Sequence, residues 1–437
     1  LAEQENILRV LLRLFASSDY LSDILLAQPG LLDPLFRTEA LTASKDAGTL
    51  AAEIAADALR ASGAAQRFVR LCAAKRGEEL AIGLRSLLGE ADILQTLRDL
   101  TALAEAVVAA GHRIAYEELV SLHGTPIEEE TGAPAGFSVI GMGKLGSREM
   151  NFGSDLDLVF LYSRPGATDG RAGEHPAKRG SISNHEFFLR LATALRDGLA
   201  APEAGGRAYE IDLRLRPEGQ KGALAAPLEA FESYFRERAE TWERQALCRA
   251  RPVAGSPELS RRFMELAAEF VYERPLPPDL AGEVDHVRLR MERELTREAE
   301  GEIDLKLGHG GITDIEFLVQ FLLISHGKEH PSIRRPETVA ALEALRDAGL
   351  LESADAEALL GAYRFLRQVE NRLRIAHARP LHTFPSTPEG IGMLARRLSY
   401  ADDEGGSARA KLLADYERLT RQVRDIYRKV LGLKSQP

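Results

Sequence analysis

The stretch Phe137–Tyr162, FSVIGMGKLGSREMNFGSDLDLVFLY, decides how the rest of the chain is read. Its first residues, Phe137, Val139 and Ile140, form an apolar run that predicts a strand, and a turn broken by Gly141, Gly143 and Gly146 follows. Ser154, Asp155, Leu156 and Asp157 then lead into Leu158, Val159, Phe160 and Leu161, a second predicted strand. Alternate side chains of an extended segment share a face, so Asp155 and Asp157 point the same way, one step apart. Carboxylates so placed repel each other. A divalent cation is the usual compensation, and Mg²⁺ is commonly held by one or two carboxylates together with substrate phosphates. The glycine turn, with Lys144 and Ser147, lets backbone N–H groups approach phosphates without side-chain obstruction. The stretch points to metal-dependent chemistry on a nucleoside triphosphate.

Downstream, AYEIDLRLRP (208–217) alternates with period two. Tyr209, Ile211, Leu213 and Leu215 fall on one face, Glu210, Asp212, Arg214 and Arg216 on the other, and Pro217 ends the predicted strand. Asp212 adds a third carboxylate, and three could hold two metal ions that clamp the attacking and leaving oxygens of an in-line phosphoryl displacement. Arg214 and Arg216 could offset triphosphate charge with forked donors. A solvated ladder of ion pairs would give the same pattern.

Both flanks read as helical. Leu8, Leu11, Leu12 and Phe15 have the spacing of one buried helix face, Ser17, Ser18 and Asp19 offer an N-cap to a second helix, and alanine-rich segments at 49–61, 80–88 and 92–111 continue the pattern. A polar connector, Gly124 to Gly136, precedes the central stretch, and Ser183 with Glu186 has capping-box spacing before an apolar helix. An amphipathic helix is predicted from about Pro227 to Leu247, with Trp242 on its core side. Beyond Ser256, Pro257, Pro336 and Pro388 mark helix starts, and long helices are predicted at 354–378 and 407–431. In GGITDIEF (310–317), Thr313 and Glu316 have capping-box spacing. Asp314 and Glu316 cannot share a helical face, so they read as helix-start residues rather than a metal pair. Arg249 and Arg251 could line an anionic site or an exposed face, and His309 adjoins the Gly310–Gly311 turn.

The 437 residues suffice for about two to four domains. With 66 acidic residues against 56 basic ones the chain lacks the cationic surplus a nucleic-acid partner needs. Cys72 and Cys248 fit no ligand spacing and read as buried thiols of a reducing compartment, which favours the cytoplasm. No apolar run is long enough to predict a membrane span. A chain opening on Leu1 rather than Met is expected to be a piece of a longer polypeptide.

Four blocks carry a resemblance: GMGKLGSREMNFGSDLDLVF, YEIDLRLRPEGQKG, TWERQALCRARPVAG and GHGGITDIEFLVQ, in that order. Together they resemble the glutamine synthetase adenylyltransferase family, bifunctional enzymes that attach AMP to a tyrosine of glutamine synthetase and remove it. Weaker likeness covers both ends, as in LLRLFASSDYLSDILLAQPGLLD and YRFLRQVENRLRI. Family members carry two such halves, and one set of motifs here implies one half. GGITDIEF, with Thr313 and Asp314 where the AMP-removing half more often has Arg-Glu, and TWERQAL lean toward the AMP-transferring half.

The resemblance implies an α+β, predominantly helical fold: a DNA polymerase β-like nucleotidyltransferase core at 126–255 between helical regions at 1–125 and 256–437. It implies that Asp155, Asp157 and Asp212 bind Mg²⁺, as two ions, and that Gly146 and Ser147, with Gly143, Lys144, Arg214 and Arg216, meet the ATP phosphates. The short gap from Ser147 to Asp155 leaves Ser154 as the other candidate for that contact. Implied partners are glutamine synthetase, the PII signal protein, glutamine as effector and the other half of the polypeptide, with no nucleic acid and no membrane.

Overall fold

Caps and amphipathic spacing place the first helices. The computed structural model describes residues 2–33, 41–171, 180–202, 207–296, 302–377 and 379–433. Ser18 accepts a hydrogen bond from the Leu21 N–H and caps α2 (Asp19–Ala27), which follows α1 (Ala2–Ser17). Asp46 caps α3 (Ala47–Ala58), α4 (Ala64–Leu88) ends at Gly89 in the left-handed region, and Asp92 caps α5 (Ile93–His123). The face expected to be buried on α1 is corrected. Leu8, Leu12 and Phe15 are exposed and Leu11 is half-buried, while Val10 and Leu14, one turn apart, seat the helix against α2 and α4. A helix packed along so narrow a strip leaves its other apolar side to solvent.

The connector before the central stretch holds a short strand, β1 (Pro126–Glu128), paired antiparallel with β4 (Gly166–Thr168). Between them in sequence, β2 (Phe137–Gly141) and β3 (Leu156–Tyr162) pair antiparallel, with Phe137 opposite Tyr162 and Gly141 opposite Leu158. After α6 (Asn184–Ala200), capped by Ser183, the chain returns to the outer edge of β3. There β5 (Ile211–Asp212) pairs parallel with its start and β6 (Ala225–Pro227) with its end. The other edge of β2 takes β7 (Arg251–Gly255), antiparallel, with a register shift between Val139 and Ile140. The strand expected over 208–217 is therefore corrected to two residues. The chain turns at Arg214–Pro217, and Arg216 donates to the carbonyls of Leu213 and Gly222 at 2.6 and 3.1 Å, folding the segment back on itself.

Alternation along β2 and β3 feeds two cores, one on each sheet face. Val139, Leu158 and Phe160 join the apolar cluster of α1–α6, where Phe137 stacks between Phe160 and Phe188 at 5.8 and 5.6 Å. Ile140, Val159 and Leu161 join the cluster built by the later helices. The helix expected over 227–247 breaks into α7 (Leu228–Glu237) and α8 (Thr241–Leu247), because Glu240 and Glu243 form a reciprocal capping box that starts a new helix. That start lifts Trp242 out of the core assigned to it. Its ring is 39% exposed and its Nε1–H donates to Glu240 at 2.9 Å.

Then come α9 (Pro257–Ala268), α10 (Leu280–Leu295), α11 (Ile312–His326), α12 (Thr338–Asp347), α13 (Ser353–His377), α14 (Pro388–Arg397) and α15 (Ala408–Leu431). Pro257 and Pro388 open their helices, whereas Pro336 lies outside α12, whose N-cap is Glu337. The fold is α+β and predominantly helical. Among the described residues no helix is long and apolar enough to cross a membrane. Cys72 and Cys248 are buried and neither is in a disulfide, and burial pushes the Cys248 thiol up to about 12.

One ion pair ties the segment before α11 to the loop after α13. His382 Nε2 lies 3.3 Å from Asp304, whose Oδ1 accepts the N–H groups of Lys306 and Leu307, both at 2.8 Å. The Asp304 hydrogen bond raises the His382 pKa against its partial burial, and Lys306 opposes that rise. Burial would raise the Asp304 pKa, but its bonds to His382 and the two backbone N–H groups hold it below the ordinary carboxylate range. The histidine contribution is fully present below its unfolded pKa and is lost as pH rises through the raised folded value. The aspartate contribution is lost as pH falls through its depressed one. His382→Ala is therefore expected to cost about 1 kcal/mol at about pH 5.5 and much less at about pH 8.5, read from denaturant midpoints.

Candidate active site

The register of β3 against β5 sets Asp157 directly opposite Asp212, and Asp155 stands at the entrance to β3. Asp155 is exposed, and Asp157 and Asp212 are half-buried. Asp155 and Asp212, with Arg214 and Arg216, line an open groove of about 410 Å³. Burial, then the neighbouring charges of Asp155 and Asp212, push the Asp157 carboxyl up to about 7, with Lys306 and Arg214 opposing. Burial would also raise Asp212. Hydrogen bonds from the Arg214 side chain, at 2.8 and 3.0 Å from Nε, and from its N–H at 2.8 Å hold it below the usual carboxylate range instead.

As the side chains stand, no three His, Cys, Asp or Glu groups among the described residues converge into a metal-ligating set. Asp212 is turned onto Arg214. The donors nonetheless fit a hard divalent cation: carboxylate oxygens from Asp155 and Asp157, a third in register, and an acidic pair short of positive charge.

Glycine is required at two turn positions. Gly143 has φ +50°, and a Cβ there would stand 2.3 Å from Asp157 Oδ2, so the turn lies flush against the half-buried carboxylate. A Cβ on Gly146 would stand 1.7 Å from the Arg249 carbonyl, which locks the turn onto the segment entering β7.

The remaining residues expected to meet phosphates face inward. Ser147 is fully buried and its Oγ–H donates to the Gly143 carbonyl at 3.0 Å. Ser154 is buried too, its Oγ accepting from the Asn151 N–H and from Arg374, both at 3.2 Å. Lys144 reaches Glu370 on α13 at 2.8 Å. The structure thus brings Asp155, Asp157, Asp212, Arg214 and Arg216 together with Gly143 behind them. It sets Lys144, Gly146, Ser147 and Ser154 in the joint between the turn and the later helices.

That joint is the feature sequence reasoning missed. Glu370 is fully buried and takes Lys144, Arg374 at 3.0 Å, Arg367 at 3.1 Å and the Asn151 side-chain amide at 3.2 Å. Burial would raise its pKa, but Arg367, Arg374 and Lys144 hold it well below the ordinary range. With more cations than one carboxylate can satisfy, the proton on Lys144 is the loosely held one. Burial lowers its pKa to about 7, with Arg374, Arg367 and Lys306 adding to the fall and Glu370 opposing it. Beside this cluster, Glu149 accepts the Thr338 N–H at 2.8 Å at the start of α12, and Arg249 pairs with Glu316 at 3.1 Å. Arg251 reaches Glu105 and the carbonyls of Leu145 and Gly146. The capping box expected from Thr313 and Glu316 does not form: Gly311 is the N-cap of α11, and Glu316 is spent on Arg249. Asp314, fully buried, pairs with Arg288 and Arg424, so the two acids do point apart.

The glutamate-ammonia ligase adenylyltransferase family model matches residues 8–266. The chain belongs to this family. A second model, GlnD PII-uridylyltransferase, matches residues 283–431. Among curated relatives, the bifunctional glutamine synthetase adenylyltransferase/adenylyl-removing enzyme of Thioalkalivibrio sulfidiphilus is 36% identical over 91% of this chain and 40% of its own length. That of Bordetella pertussis is 37% identical over 74% of this chain and 35% of its own, and that of Stenotrophomonas maltophilia 35% over 87% and 40%. The chain thus spans 35–40% of the length of these adenylyltransferase-family relatives.

Replacing Glu370 by Gln removes the carboxylate while leaving Lys144, Arg367 and Arg374 buried. The expected cost is about 3–5 kcal/mol of folding stability, measured by urea unfolding.

Proposed function

We propose that this chain is a Mg²⁺-dependent adenylyltransferase unit that moves AMP from ATP to a tyrosine of glutamine synthetase and releases pyrophosphate. The observation that carries the reading is the Asp157–Asp212 register, with Asp155 alongside and a glycine turn pressed against Asp157. In this reading 126–255 is the nucleotidyltransferase core, and 1–125 and 256–437 are helical regions serving its two faces. Magnesium held by Asp155 and Asp157, with Asp212 joining, would neutralise triphosphate charge and favour attack at the α-phosphorus. The tyrosine oxygen forms a bond to that phosphorus as the bond to the bridging oxygen of pyrophosphate breaks, and Asp212 accepts the phenolic proton. Arg214 and Arg216, at the mouth of the groove, hold the charge of the departing pyrophosphate. The match of 283–431 to a PII-uridylyltransferase model supports PII as a partner, and glutamine and the other half of the polypeptide are the remaining expected contacts.

Incubating the chain with ATP labelled in its adenylyl group and unmodified glutamine synthetase should place label on the synthetase. Phosphate-dependent release of ADP from AMP-modified synthetase, without label transfer, would instead mark the AMP-removing reaction by the same carboxylates. Failure to bind Mg²⁺-ATP in calorimetry would leave a non-catalytic regulatory module.

Asp157→Asn should cut label transfer by about a hundredfold or more. Its stability should move the other way. A carboxyl raised to about 7 disfavours the folded state increasingly as pH rises from the unfolded value through 7. The Asn variant should therefore melt higher than the parent at about pH 8, and the difference should vanish near about pH 4.

A further inference from the structure

At rest most of the positive side chains around the groove are engaged, Arg214 and Arg216 among them, although the proposed reaction would draw those two onto the departing pyrophosphate. Lys144 and Arg374 are held by Glu370, and Arg249 by Glu316. Arg214 forks onto Asp212, and Arg216 donates to the carbonyls of Leu213, Gln220 and Gly222. Lys306 is different. It is half-buried, and among the described residues its ammonium meets no hydrogen-bond or ion-pair partner.

Two chains of contacts place Lys306 beside the site. In the first, its carbonyl accepts the Thr313 N–H at 3.0 Å. One turn further along α11, Glu316 holds Arg249, whose own carbonyl presses on Gly146 of the glycine turn. In the second, Ser154 accepts from Arg374, whose Nε–H donates to the Leu381 carbonyl at 3.1 Å. The next residue, His382, pairs with Asp304, which accepts the Lys306 N–H. The backbone of Lys306 is thus linked through α11 to the glycine turn and through Asp304, His382 and Arg374 to the segment leading into Asp155 and Asp157. Its charge reaches both: it favours the ionised forms of Asp157 and Glu316 and opposes protonation of Lys144.

An ammonium that no acceptor among the described residues holds is open to an anionic ligand, and the charge-assisted hydrogen bond it makes to a phosphate is among the stronger ones available. We infer that Lys306, contributed by the segment before α11, binds the β- or γ-phosphate of the nucleoside triphosphate, an inference that rests on the nucleotide-binding reading above. The two matched regions would then share one site: carboxylates from the first, the phosphate-binding cation from the second.

The test is calorimetric titration of the whole chain and of Lys306→Met with Mg²⁺-ATP and with AMP. The variant should bind ATP about tenfold to a hundredfold more weakly, and AMP, which lacks the outer phosphates, within about twofold of the parent. Lys306→Arg, which keeps the charge, should recover much of the ATP affinity and serves also as the check that loss of affinity is not loss of fold. Equal ATP affinity in parent and Lys306→Met overturns the assignment while leaving the nucleotide reading intact. Weakening of ATP and AMP alike overturns it as well, since a general distortion would do that. A parent chain that binds neither nucleotide overturns the nucleotide reading itself and this assignment with it.

Discussion

Glu370 is the carboxylate on which the geometry around the groove depends. It lies in the dry interior, where an ionised group survives only if its lost hydration is replaced in full. Lys144 and Asn151 from the glycine turn and its exit, and Arg367 and Arg374 from its own helix α13, make that replacement. Buried ion pairs gain little net stability over apolar packing of the same volume, so stability alone is a weak reason for such a cluster. What it does impose is position. Any shift of the turn relative to α13 would strand a buried charge, which confines the segment from Gly143 to Ser154 to one arrangement. Asp155 and Asp157 leave that segment already aimed.

Much of the fold was legible in the sequence because it rests on local rules. The strands at 137 and 158, the caps at Ser18 and Ser183, and the long helices ending near 377 and 431 each follow from period, cap or turn chemistry within a few residues. The failures came where tertiary contact overrides pattern. Leu8, Leu12 and Phe15 have a helical face's spacing, yet among the described residues they stay exposed and only Leu11 of that face packs against the core. The alternation of 208–217 promised a long strand, but Arg216 finds carbonyls across its own turn and the ladder stops after Asp212. Thr313 and Glu316 had cap spacing, but the pull of Arg249 on Glu316 was stronger.

The carboxylates Asp155, Asp157 and Asp212 were legible because strand periodicity shows which side chains share a face. Their inward-facing neighbours were not, since Lys144 and Glu370 are 226 residues apart and no local rule joins them. One trace of the joint was nevertheless visible. Arg367, Glu370, Asn371 and Arg374 fall at i, i+3, i+4 and i+7, a single polar stripe, on a helix whose Leu366, Val369 and Leu373 are also buried. A helix with both its apolar and a charged stripe covered must carry the charged one against another part of the protein.

The walls of the groove consequently differ in stiffness. On one side the turn is held by charges almost wholly removed from water, and parting any of them costs several kcal/mol, on the order of 3–5. On the other, Asp212 is held by Arg214, whose side chain is 69% exposed, and a pair in that setting is worth about 1 kcal/mol or less. An incoming polyanion could draw Arg214 away at little cost, and Asp212 would then be free to turn toward Asp157, its partner in register. The two residues paired with each other at rest are therefore the cheapest to rearrange, while the residues that fix the turn are the most expensive. In the proposed function that division would let the carboxylates assemble around a ligand without loosening the turn that aims them.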